Sequence, residues 1–182
     1  RHIREAPLPA SLASHLRARY PELTPMQVSE VLEALRDWFE LCRRARRRLL
    51  GMPSQAVDEA WHAFILDTRA YGAFCRAAFG RFLHHTPAEA MAGPRTAQDS
   101  IKRSWRLACR QEGIDPLQPE ALPRLFALDA ALAIPDGFHY VLDCTAHGGR
   151  DGRTYCGAHV GCGGGCAGGG DGDGCGGGCG GD

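Results

Sequence analysis

The chain has 182 residues, with Lys+Arg and Asp+Glu balanced at 21 each. That length suits one ordinary domain plus an appendage, and the zero net charge supplies no global field for nucleic acid or an acidic membrane. No apolar run approaches the roughly 18 residues of a membrane span, and no secretory h-region is present.

A cytoplasmic protein without a nucleic-acid partner is therefore expected. The chain opens at Arg1 rather than Met, so an upstream membrane anchor is compatible with it, and membrane contact is expected only through such a segment. Nine cysteines, an odd number, argue against a fully paired secreted framework and for thiols in a reducing compartment.

In chain order, Leu12, Leu16 and Tyr20 suggest a short leading helix. Thr24-Pro25-Met26-Gln27 opens the clearest one: Thr24 caps, Pro25 suits the first position and Gln27 reaches back as box partner. Val28, Val31, Leu32, Leu35, Trp38, Phe39 and Cys42 then keep one apolar face. Arg43, Arg44, Arg46, Arg47 and Arg48 crowd its end before Gly51 and Pro53 stop it. That run reads as a solvated helix end, since no aromatic interleaving or second basic stripe accompanies it.

Ser54 caps a second helix with Asp58 and Glu59 in its first turn and Val57, Trp61, Phe64 and Ile65 as its stripe. A third begins near Thr68 and carries Tyr71, Phe74, Cys75, Ala78, Phe79 and Phe82. Thr96 and Asp99 start a fourth, with Trp105 and Cys109 inward and Gly113 as cap. A fifth lies around Pro123 to Ala133. Pro135-Asp136-Gly137 is a turn, and Phe138 to Leu142 a short strand or strap. The fold class is all-α: a compact bundle of about five helices over residues 1–141, with a disordered Gly/Cys-rich tail over 142–182.

The densest chemistry in the body is Asp58, His62, Cys75, His84 and His85. Asp58 and His62 are four apart on one helical face, where the carboxylate orients the imidazole as outer partners of metal-bound histidines do. His84 and His85 fall at the end of the third helix, and a helix hairpin brings that end to His62. A metal site of His62 with His84 or His85 stands against a hydrogen-bonded histidine cluster. Cys75 shares the Tyr71 stripe, so it is either a small buried hydrophobe or, if the helix ends or bends near Gly80, a further ligand. No H-E-x-x-H, G-x-S-x-G or phosphate loop is present.

The run Met52-Pro53-Ser54-Gln55-Ala56-Val57-Asp58-Glu59-Ala60-Trp61-His62, with Tyr71-x2-Phe74-Cys75 and Gly80-Arg81-Phe82-Leu83-His84-His85-Thr86-Pro87, resembles the bacterial glycine-rich domain-containing proteins, an uncharacterised family. The resemblance implies a helical domain in which Trp61, His62, Cys75 and His84 are signature positions. Some bacterial relatives begin with a membrane anchor. Plant relatives are linked to RNA and stress through domains this chain lacks, so RNA binding is not implied.

From Cys144 onward the chain holds six of its nine cysteines and 18 of its 24 glycines. Cys144-x2-His147 and Cys156-x2-His159 form two pairs able to meet on one tetrahedral zinc; Cys162-x3-Cys166 and Cys175-x3-Cys179 are looser chelates. One structural zinc supplies on the order of 10–16 kcal/mol, against about 1–2 kcal/mol to fix each residue. It orders a loop, not the whole tail.

The leading expectation is a non-enzymatic metal-associated protein: a helical scaffold with a His/Cys site and a tail binding zinc or another soft ion. One alternative is a metalloenzyme with an open position and Asp58 or Glu59 as base. Another is an interaction scaffold that docks an unknown protein partner, its tail a passive tether.

Overall fold

The computed structural model describes residues 2–87, 94–142 and 154–156, which form seven helices and a two-stranded sheet. The helices are α1 (His2–Glu5), α2 (Ala10–Arg19), α3 (Pro25–Ala45), α4 (Gln55–Leu66), α5 (Thr68–Phe79), α6 (Pro94–Glu112) and α7 (Arg124–Ala131). The strands are β1 (His139–Val141) and β2 (Thr154–Cys156). The described residues are all-α apart from that short pairing.

α3 is the axis of the bundle. Its Thr24–Gln27 capping box is formed: Gln27 N donates to Thr24 Oγ1 at 3.2 Å and Thr24 N to Gln27 Oε1 at 2.9 Å. Val28, Val31, Leu35, Trp38, Phe39 and Cys42 are buried along it, and α1, α2, α4, α6 and α7 all pack against it. The helix stops at Ala45, and Arg46 takes a positive φ of 59°. The arginines after it therefore lie on the connection to α4, beyond the helical turns expected to carry them.

Two elements were not legible in the sequence. α1 is a single turn, too short to persist alone. It exists because Ile3 is buried and the Arg36 guanidinium donates to the Ile3 and Ala6 carbonyls at 2.7 and 2.8 Å. β2 comes from the segment expected to be tail, and pairs in parallel with β1, Tyr140 opposite Tyr155.

The polar anchor of the fold is Asp129 on α7, 1% exposed. Its carboxylate accepts from Ser54 Oγ (2.6 Å), Gln55 N (2.6 Å), Ala56 N (3.3 Å) and Phe138 N (2.9 Å). An anion at the first amides of α4 satisfies donors that the helix itself cannot. It also pins α4, α7 and the start of β1 to one point.

Candidate functional site

α4 and α5 meet through one residue, Asp67, which ends the first helix and caps the second by accepting from Ala70 N at 3.2 Å. α5 stops at Phe79 because Gly80 turns left-handed, with φ of 67°. This corrects the expected helix running on to His84 and His85: both lie on the non-helical segment that follows.

A buried polar relay fixes that segment. Trp61 Nε1 donates to Tyr71 Oη at 3.0 Å, and Tyr71 Oη donates to the Leu83 carbonyl at 2.6 Å. Buried Trp and Tyr need such partners. Here the partner is the backbone two residues before His85, so α4 and α5 together set where His85 sits.

His85 is thereby laid against the first half of α4. Its ring stands edge-on to Trp61, centroids 4.7 Å apart, and 4.4 Å from the His62 ring. His85 Nε2 lies 3.0 Å from Asp58 Oδ1, while His62 Nδ1, one helical turn along, lies 3.7 Å from Asp58 Oδ2. One donor atom from each of Asp58, His62 and His85 falls within 4.8 Å of the others. Asp58 and His85 are mostly buried; His62 is 46% exposed at its side chain.

Two imidazole nitrogens and a carboxylate oxygen at this separation suit a first-row divalent cation such as zinc. Three protein donors leave coordination positions free, and the exposed His62 places the set at the surface. His85 and Trp61 also line a neighbouring cleft of about 560 Å³, with Trp38, Met52 and Phe82 among its walls.

The remaining expected residues lie elsewhere. His84 is exposed and packs on Phe82, ring centroids 5.0 Å apart, outside the three-donor group. Cys75 is fully buried beside Tyr71 and Leu83; burial pushes its thiol pKa up, which opposes the thiolate a metal requires. Glu59 turns toward α2, 3.4 Å from His15 Nε2 and 3.9 Å from Arg19 Nε, leaving Asp58 as the carboxylate at the site. Cys156 forms the end of β2. Cys144, His147 and His159, with the later cysteine pairs, lie outside the described residues.

The relay was the part that sequence reading missed. Tyr71 sits in an apolar stripe, and the signal the sequence does hold is a tyrosine hydroxyl and a tryptophan indole on the apolar faces of two adjoining helices.

A family model described as UCP032817-like matches residues 1–160. No curated protein and no solved structure matches the chain.

Proposed function

As the chain belongs to the UCP032817-like family, an uncharacterised one, we propose from the side-chain geometry that it is a metal-associated protein whose Asp58, His62 and His85 hold one divalent ion. The observation carrying this reading is the convergence of three donor atoms within 4.8 Å from two elements 23 residues or more apart in sequence, Asp58/His62 and His85. Zinc is the first candidate by donor type. The Cys144, His147, Cys156 and His159 thiols and imidazoles are a second, softer set in the same proposal, as is the likeness to glycine-rich domain-containing proteins.

A catalytic version is the second reading. Three donors, an exposed edge at His62 and a cleft reached through His85 leave room for a bound water or substrate, the arrangement of hydrolytic zinc. Asp58 would then be a ligand rather than the base.

The test is elemental analysis of the full chain purified without chelator, on point variants. Truncation at Val141 is unsuitable, because it removes the strand that β1 pairs with. His62→Ala and His85→Ala should each lose about one equivalent of metal, a ligand's share, while His84→Ala keeps it. Replacing Cys144 and Cys156 by Ser should lower only the remaining stoichiometry. Metal content equal in wild type and in both site variants, with folding verified by circular dichroism, would sink the body site.

A further inference from the structure

Eight of the 21 basic residues of this neutral chain line one groove. An open groove of about 1060 Å³ lies between the end of α3 and one face of α6. Arg44, Arg46, Arg47 and Arg48 line it from the α3 side, and Lys102, Arg103, Arg106 and Arg110 from α6; among the described residues Asp99 is its single carboxylate. The second basic stripe, which the sequence did not reveal, is on α6, 54 or more residues from the first. Since total charge is zero, the rest of the molecule carries the compensating negative charge.

Helix-end electrostatics account for little of this. Cations favour the last turn of a helix, but Arg46, Arg47 and Arg48 follow the end of α3, and Lys102, Arg103 and Arg106 lie inside α6. Lys102, Arg106 and Arg110 repeat every fourth residue, so like charges face each other along one side, which destabilises a helix. Among the described residues Arg103 donates to the Leu49 carbonyl. The other seven cations have no carboxylate within ion-pair distance there. Four arginines outside the groove are paired closely: Arg4 and Arg124 with Asp37, Arg36 with Glu33, Arg43 with Glu40.

We propose that this groove binds a compact ligand bearing several adjacent phosphate groups. Seven of its eight cations are arginines, whose planar fork matches phosphate oxygens two at a time. Among the described residues the lining contains no aromatic ring, and stacking platforms are what single-stranded nucleic acid requires. The cations surround one depression instead of tracking along a surface. Among the described residues the exposed large apolar side chains, Met26, Leu66, Phe82 and Leu117, are outside the lining, so none of them would carry the groove into a bilayer. The volume is that of a small-molecule site at its upper end, about 1,000 Å³.

The experiment is calorimetric titration of the full chain with inorganic tripolyphosphate. Arg106→Glu/Arg110→Glu is the groove variant, and Arg17→Glu/Arg69→Glu, exposed elsewhere, the charge-matched control. One site is expected, weakened about tenfold or more in the groove variant, from the worth of a charged hydrogen bond, and unchanged in the control. His85→Ala should also leave it unchanged, which separates this groove from a metal at Asp58, His62 and His85. Without ligand, Arg106→Gln should raise the melting temperature by relieving repulsion. The proposal is overturned by absent binding, by equal loss in the control, or by loss in His85→Ala. It is equally overturned if Arg106→Gln lowers the melting temperature. An RNA oligonucleotide, or phosphoinositide vesicles, that bind without competition from tripolyphosphate would replace it with a polymer or membrane reading.

Discussion

At Tyr71 one hydroxyl accepts from Trp61 Nε1 and donates to the Leu83 carbonyl, all three groups buried. Tyr71→Phe would leave an indole N–H and a carbonyl unpaired in the core, at a cost of about 2 kcal/mol. Urea denaturation measures that loss, and metal retention should fall with it because the segment bearing His85 is released. The body thiols offer a test of sign. Burial raises the pKa of Cys42 and Cys75, and takes Cys109 from its ordinary 9.0 up to about 11. A raised acid holds its proton longer in the folded chain than in the unfolded one, so its contribution is complete below about pH 9 and is lost as pH climbs toward 11. Melting temperature should decline over that window, and iodoacetamide at pH 8 should modify these three thiols only after unfolding. Cys75 was open between ligand and hydrophobe in the sequence. Its burial favours the second, since the spacing alone could not say which way the stripe faced.

Among the elements, α4 depends on a residue outside it. Its first two amides, Gln55 N and Ala56 N, and the hydroxyl of its cap Ser54 all donate to Asp129 of α7, so Asp129→Ala should destabilise the fold by about 3 kcal/mol, read by thermal or urea unfolding. The turn before β1 is held equally tightly. A Cβ at Gly137 would sit 2.6 Å from Asp129 Cβ and 3.0 Å from Ile134 Cβ, so Gly137→Ala should cost about 2 kcal/mol by overpacking. Helix starts were readable where the cap is local: Thr24 with Gln27, and Ser54 with Val57 N. Ends were less so. The apolar stripe of α5 continues in the sequence to Phe82, yet Gly80 stops the helix at Phe79, and that one displacement is what separates His85 from His84.

For the whole molecule, uneven charge outweighs net charge. A balance of 21 against 21 excludes a global field, but tertiary structure sets the end of α3 against α6 and makes a local one. Its readout is salt: melting temperature at low ionic strength should rise on adding salt, because screening relieves the unpaired arginines. A flat response would mean that those cations do not repel. The residues alone determined the helical class, the apolar faces, the local caps and the candidate group of Asp58, His62, His84 and His85, because periodicity and capping act over three or four neighbours. They could not determine which histidine reaches Asp58, whether Cys75 joins it, that Asp129 caps a helix 73 or more residues away, or that two basic stretches share a groove. Those outcomes depend on helix ends and on contacts between distant segments, where a single left-handed glycine or one buried hydroxyl redirects the chain, and only packing of the complete core selects among them.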